Sequence, residues 1–538
     1  MYFFAKIIIL KKFRWGDILK GFTVFFIFLS VFFCSYNVYA EETTEETTKE
    51  ITTKEITTQQ TTKEFSAQSI TEDFTEITTI EMDTVQKIVN ASLPVSTTPF
   101  KADINTEIIN NMGAVIQQLN CKFENGDYFW IRRYGFGSDK AGNFMSSFKI
   151  PGDSIEIRYI DPVTKQWILT TDEKSISDKV TTLYVSTGKY NAILSVAGVY
   201  KSDFTANTLT VLKDREIPVI IQKSVGEYII KIQFPERTDN IGEFWCLQSP
   251  NSLVDWNSEK QYNLLKVHDL AFERRWCYDG YYFPTPSNYT PGGNNVLYRH
   301  PANYTGASWA KYGGCRAAND LGYIMTKICI ENQNEKGFWP TGPQSEWLIT
   351  DFKIPYYFYD TRFNTDFAVS LVQGYKVYND RDFLEAAVKY GEFFYEHAVN
   401  RHYDKLGGWL VDDYAGNENS LRTHSSLNHQ VAEINFLYEL YQVTKEQKYY
   451  DLAELMLLGI ENTKNEWVLP DGNLRYALMY NGTYNTMKDY PYLTYDDLFE
   501  LKDILYKYFQ RTNETVEYLM ASKKQWMDNN KVTGYRTA

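Results

Sequence analysis

The hydrophobic period of this chain changes once, near residue 250, and that change restricts its architecture more than any other feature. From about 105 to 240, apolar residues alternate in short runs: "DYFWIRRYGF" (127–136), "DSIEIRYIDPVTKQWILTTD" (153–172), "TTLYVSTGKYNAILSVAGVY" (181–200) and "EYIIKIQF" (227–234). A period of two puts successive side chains on opposite faces of an extended chain, so these runs suit half-buried strands. "DPVTK" and "STGKY" supply turn residues between them. Beyond 250 the period lengthens to that of a helix, near 309–331, 363–378, 382–399, 426–443, 446–462, 495–510 and 514–528. The chain therefore reads as multidomain α+β. A β-sandwich of immunoglobulin-like size over 101–240 is followed by a helical unit over 241–538.

The helical unit is punctuated by "EKGFWPTG" (335–342), "KLGGWLVDD" (405–413) and "NEWVLPDGNLRY" (465–476). Each joins Trp to nearby Gly and follows a helix or helix pair, at spacings of about 70 and 60 residues. Helix pairs separated by such loops predict an (α/α) toroid of helical hairpins, with the loops gathered at one end around a cleft. Within it, "SSLNHQVAEINFLYELY" (425–441) predicts an amphipathic helix. Leu427, Val431, Ile434, Tyr438 and Tyr441 form its apolar stripe, and its polar start is crowded with Asn428, His429 and Gln430.

The first 40 residues read as a secretory signal. A basic segment (Lys6, Lys11, Lys12, Arg14, Lys20) precedes the apolar "GFTVFFIFLSVFF" (21–33) and the small residues of "VYA" (38–40). Residues 41–100 open with a Thr/Glu/Lys repeat without apolar period, a solvated spacer. A secreted or cell-surface location follows, with no stable membrane span once the signal is removed. The formal net charge of −13 becomes about −17 without the leader, which argues against nucleic acid as a partner. The five remaining cysteines are scattered and lack any CxxC pair, so they read as buried small hydrophobes. With 42 Tyr, 33 Phe and 12 Trp, the chain is rich in rings suited to stacking on sugars.

Two clusters carry the candidate chemistry. The first, "GGWLVDDYAGNENSLRTHSSLNHQ" (407–430), holds Trp409 for sugar stacking and Asp412 and Asp413 for hydroxyl binding or acid–base work. It also holds His424, Asn428, His429 and Gln430. His429 and Glu433 have metal-ligand spacing on a helix but no third ligand nearby, so no metal is expected. The second cluster, "WVLPDGNLRYALMYNGTYNTMKDYPYLTYDDL" (467–498), sets Arg475 among Tyr476, Tyr480, Tyr484 and Tyr490. A guanidinium stabilises a phenolate or pairs with a sugar carboxylate. Phosphate loops, GxSxG and HExxH are absent from the sequence, and no cofactor is expected.

The order of "GGWLV" (407–411), the helix opening "SLNHQ" (426–430), "GNLRYAL" (472–478) and "DYPYLTYDDL" (489–498) resembles the catalytic C-terminal domain of D-glucuronyl C5-epimerases, over roughly 310–510. That resemblance implies an (α/α) toroid behind β structure. It implies a substrate-facing Gln430, a substrate Arg475 and a catalytic Tyr490. Where the family carries its first catalytic Tyr this chain has Gly472, and Tyr476 or Tyr480 offers the nearest hydroxyl. The family's Glu and Tyr before the Gln-bearing helix are replaced by "LRTHSS", so His424 or His429 would supply the base. Separately, "IEIRYIDPVTKQW" (155–167) resembles tyrosine-marked sandwich modules of bacterial surface proteins.

The expectation is thus a carbohydrate-active enzyme acting on a uronic-acid-containing polysaccharide, exchanging the C5 proton between Tyr490 and a base of the His424/His429 pair. A polysaccharide lyase, a glycoside hydrolase using Asp412 or Asp413, and a non-catalytic carbohydrate-binding protein are the alternatives.

Overall fold

The computed structural model describes residues 100–137, 142–300, 304–312, 314–480 and 488–537. The expected leader and almost all of the spacer, together with Tyr484, lie outside the described residues. Ile241–Ser249 runs through the middle of a 13-stranded sheet, antiparallel to Tyr128–Phe136, Asn191–Leu194 and Gly198–Asp203. Its side chains feed two cores alternately: Phe244 and Cys246 enter one, Trp245 and Leu247 the other. A strand buried on both faces carries no polar alternation, so the period-two signal stops short of it. Three further strands, Arg275–Cys277, Gly280–Pro284 and Val296–Arg299, join the same sheet through Thr208–Val211. The sheet therefore reaches Arg299, well past the boundary expected at 240.

On one face of the large sheet, a three-stranded sheet of Asn143–Pro151, Ile220–Ser224 and Glu227–Pro235 encloses Trp130, Tyr134, Phe144, Ile150, Ile230 and Phe234. On the other face Leu119, Phe129, Ile131, Ile193 and Trp245 belong to a core continuous with the helices. The immunoglobulin-like sandwich is thus corrected. Two sheets do oppose each other, but the larger one is also backed by helices, which makes three layers. Cys121, Cys246, Cys277, Cys315 and Cys329 are all buried free thiols.

The helical part is a row of hairpins, the unit of the expected toroid. The helices that form the hairpins are α1 (Tyr304–Tyr312), α2 (Arg316–Ile330), α3 (Thr361–Tyr378), α4 (Arg381–Asn400), α5 (Leu427–Thr444), α6 (Gln447–Asn462), α7 (Leu493–Phe509) and α8 (Glu514–Asn529). Consecutive helices pair as α1–α2, α3–α4, α5–α6 and α7–α8, while α1, α3, α5 and α7 lie side by side in chain order. Helix α5 corrects its own sequence reading. Leu427 to Leu440 are all buried, because α3, α4, α6 and α7 all pack against it. His429 and Gln430 on it bond to Thr361 and to the Val411 backbone rather than to water.

The Gly-Gly-Trp loop is a packing device. Gly407 takes a left-handed φ of 88° at the tip of the hairpin His402–Lys405/Gly408–Val411. Gly408 then lies directly against the backbone of Leu458 and Gly459 on α6, and a methyl group at either glycine would collide with the other segment. Gly459→Val is expected to destabilise the fold by about 1–3 kcal/mol through overpacking. Urea titration of the full chain, read as a lower midpoint with unchanged slope, checks it.

Candidate active site

Loops converge at the amino ends of α3, α5 and α7, and two miniature strand pairs knit them together. Tyr359–Asp360 pairs with Tyr414–Ala415, and Ser425–Ser426 with Ala477–Leu478. Backbone bonds from Thr361 N to Asp413 O (3.0 Å) and from Asp413 N to His424 O (2.9 Å) tighten the knot. Helix amino ends carry unsatisfied N–H groups and partial positive charge, which suits a buried anion.

That anion is Asp413, which is fully buried. Its carboxylate accepts the Ser426 N–H at 2.9 and 3.1 Å, and its Oδ2 lies 3.2 Å from His424 Nε2 and 3.8 Å from His429 Nδ1. Burial opposes the charge, but His429, His424 and Ser426 outweigh it and hold Asp413 below the usual carboxylate range. His429 Nδ1 also shares a 2.7 Å hydrogen bond with Thr361 Oγ1. Burial pushes His429 down to about 4, with Arg362 and His424 acting the same way against Asp413. At neutral pH the pair is an ionised carboxylate beside a neutral imidazole.

A second carboxyl behaves in the opposite way. Asp360 caps α3, its Oδ1 accepting the Phe363 N–H at 3.0 Å. Burial pushes it up to about 8, and the charges of Asp413 and Asp366 add to this against the capping bond. Two carboxyl groups at this strand pair, Asp360 on one strand and Asp413 just before the other, thus differ, one an anion and the other an acid still holding its proton at neutral pH.

Aromatic side chains wall the cluster. Trp347, half-buried, stacks on His424 (5.7 Å between ring centres, 24°) and meets Tyr414 edge-on at 5.6 Å. Tyr476 lies 5.7 Å from His424 and 5.8 Å from Tyr490. From the sheet side, His300 packs on Phe363 at 4.8 Å and Tyr298 on Tyr289 at 5.8 Å. Beneath, Arg362 grips Asp497 with both Nη atoms (2.6 and 3.0 Å) and Asp366 with Nε (2.9 Å), so its charge is spent on the floor.

No protein-family model matches this chain, and no curated protein sequence does. Solved structures similar to it include an α-mannanase of glycoside hydrolase family 76 from Bacteroides thetaiotaomicron. It is 15% identical, over 42% of this chain and 54% of that one, with a TM-score of 0.28. A D-mannose isomerase is 15% identical, over 44% of this chain and 63% of its own, at 0.32. A family 76 glycoside hydrolase from a bovine strain of Bacteroides thetaiotaomicron is 11% identical, over 80% and 78%, at 0.34. The chain thus spans 54% and 63% of the length of the first two. TM-scores below 0.5 leave the activity to be argued from the chain's own residues.

Of the residues singled out in the sequence, the structure brings Asp413, His424, His429, Tyr476 and Tyr490 together. Tyr490 is held from behind, its carbonyl accepting Lys523 Nζ at 2.6 Å while Lys523 pairs with Asp489 at 2.9 Å. Burial and the Asp489 charge push the Tyr490 phenol up, so it is a neutral hydroxyl rather than a phenolate. Asn428 is buried in the first turn of α5, its carbonyl accepting Arg362 Nη1 at 2.9 Å and its Oδ1 without a hydrogen-bond partner.

Four expectations are corrected. The Gln430 side chain is consumed by the backbone of Val411, accepting its N–H at 2.8 Å and donating to its carbonyl at 3.0 Å, so it braces a strand instead of facing substrate. Arg475 precedes Tyr476 on an extended segment, where neighbours point to opposite sides. Its Nε donates to Glu466 O at 2.9 Å. Asp412, likewise opposed to Asp413, turns to Arg422 and Arg401. Trp409 stacks on His402 with ring centres 3.8 Å apart. Gly472, where the resemblance wants a Tyr, is a turn residue with φ 84°.

Sequence reading missed Asp360, Trp347 and Arg362 as members of the site. Asp360 alone left a signal, an Asp immediately before a helix, and that reads as an ordinary cap. Among the described residues, no group of three or more His, Cys, Asp or Glu is placed to hold a metal ion, and no helix is long and apolar enough to cross a membrane.

Proposed function

We propose that this chain is a carbohydrate-active enzyme working by acid–base catalysis, with Asp360 as proton donor and Asp413 as the carboxylate on the opposing side. The observation that carries the reading is the opposite proton affinity of these two buried carboxyls, one raised to about 8 and one held below the ordinary range. That division is what glycoside hydrolysis requires: an acid to protonate the leaving oxygen, and an anion to activate water or stabilise the charge at the anomeric carbon. Half-buried rings of Trp347 and Tyr289 beside the carboxyls offer apolar faces to a sugar.

A C5-epimerase of uronic acid residues is the second reading. The observation favouring it is the pair of imidazoles on Asp413 together with the hydroxyls of Tyr476 and Tyr490, which provide proton carriers of two kinds. Against it stands Arg475, the intended partner of the sugar carboxylate, which is turned to Glu466. The basic and apolar N-terminal segment supports a secreted or cell-surface location.

One incubation separates the readings. The full chain is mixed in heavy water with neutral and uronate polysaccharides. New reducing ends are expected and support hydrolysis; deuterium at C5 without cleavage supports epimerisation. Ultraviolet absorbance from an unsaturated sugar identifies a lyase instead. An unchanged, unlabelled polymer that nonetheless binds the protein overturns the enzymatic reading.

A further inference from the structure

Lys523 stands where the helix pattern calls for an apolar residue. It lies on α8 in one stripe with Val516, Leu519, Met520 and Met527, and like them it is buried, with none of its side chain open to solvent. A buried ammonium loses its hydration, and an ion pair in such a place seldom stabilises a fold more than well-packed apolar side chains would. Its presence calls for something an ammonium does and a hydrocarbon does not, namely to fix several acceptors at defined positions.

There is one acceptor for each proton of the group. Nζ lies 2.9 Å from Asp489 Oδ2, 2.7 Å from Asn473 Oδ1 and 2.6 Å from the Tyr490 carbonyl oxygen. Asp489 and Tyr490 belong to one of the two tyrosine-bearing segments of the candidate site, and Asn473 belongs to the other. These segments run antiparallel, Arg475 opposite Lys488, with the Asp489 N–H donating to the Leu474 carbonyl at 3.1 Å. The pairing is an isolated bridge rather than a ladder, and Lys523 ties the segments together from behind. The Thr494 hydroxyl, in the first turn of α7, holds Asp489 Oδ1 at 2.5 Å. Asp489 thus turns back to the ammonium, while the ring of Tyr490 meets that of Tyr476 at 5.8 Å between centres. Tyr476 in turn lies 5.7 Å from His424, which contacts Asp413.

We propose that Lys523 is a positioning residue of the site: through Asn473 and the Tyr490 carbonyl it fixes the spacing of Tyr476 and Tyr490 beside the acid–base cluster. Helix α8, which itself carries none of the candidate acid–base residues, thereby shapes one wall of the site. The inference deepens the acid–base reading of that cluster, and its kinetic consequence rests on that reading. The spacing of the two tyrosines does not.

The test uses the full chain. Lys523→Met alone leaves Asp489 as a buried charge without its cation and is expected to lower the urea midpoint. Lys523→Met combined with Asp489→Leu removes both charges and is expected to restore most of that loss. In this paired variant and in the wild type, 3-fluorotyrosine is placed at positions 476 and 490 together. Through-space relaxation between the two fluorines reads their separation, whatever the charge nearby. It is expected to be several-fold weaker in the paired variant. On a polysaccharide that the wild type cleaves, kcat of the paired variant is expected to fall about 10–100-fold, with KM little changed. Restored stability with wild-type fluorine relaxation overturns the proposal, because Lys523 would then serve stability alone. Altered spacing with unchanged kcat overturns it too. If the wild type cleaves nothing, the acid–base reading falls, and the fluorine measurement still decides whether Lys523 sets the spacing of the tyrosines.

Discussion

Asp413→Asn is expected to lower kcat by about 10²–10⁴-fold on whatever glycan the chain turns over, the range for loss of a positioned acid–base group. In barrier height that is about 3–5 kcal/mol. The substitution is nearly isosteric, and the amide oxygen can still accept the Ser426 N–H that the carboxylate accepts at 2.9 Å. Loss of activity with unchanged circular dichroism therefore reports chemistry rather than unfolding. A second signature separates the two further. The Asp413 charge helps to raise Asp360. In the variant Asp360 should lose its proton at lower pH, and the alkaline limb of any residual activity should move towards acid. Full activity in a folded Asp413→Asn protein would remove this residue from the mechanism.

Asp360→Asn is expected to abolish activity while making the protein more stable under alkaline conditions. As the acid, Asp360 works only while protonated, so wild-type activity should fall as pH rises through about 8. Stability follows the same proton. The unfolded chain ionises this group near 4, whereas the folded chain holds its proton to about 8. Its contribution is therefore complete below about 4 and is lost progressively as pH rises to about 8, with each pH unit removing roughly 1.4 kcal/mol. Asn carries no such proton and still caps α3 well. Thermal denaturation at pH 5 and pH 8 should thus show the wild type losing several kcal/mol relative to the variant, a cost the native chain bears for its acid. Parallel losses in both proteins would mean that Asp360 is already ionised.

Much of this was legible in the sequence, and what was not had definite causes. The change of period placed the strand-rich part before the helical part, but it missed Ile241–Ser249, whose alternation is erased by burial on both faces, and the short strands between Arg275 and Arg299. The density of polar residues at 413–430 and 476–490 led to Asp413, His424, His429, Tyr476 and Tyr490. Asp360 did not stand out, because nothing along the chain announces that Tyr359–Asp360 pairs with Tyr414–Ala415. Gln430 and Trp409 misled for one shared reason. A polar side chain at a helix start and an aromatic one beside a turn both read as exposed, yet a strand backbone takes the first and a histidine ring covers the second.

The large sheet has a consequence for the history and handling of the chain. Because neighbouring residues of Ile241–Ser249 serve opposite cores, neither the strand-rich part nor the helical hairpins own a separate boundary. Cutting the chain near residue 300 would strip the hairpins of the wall formed by Phe129, Ile131, Trp245 and Trp276. The exposed apolar face would then favour aggregation over independent folding. Melting should accordingly be a single cooperative event, and the two halves cannot be exchanged as modules between proteins. The strand-rich part is an obligate partner of the part that carries the candidate acid–base residues.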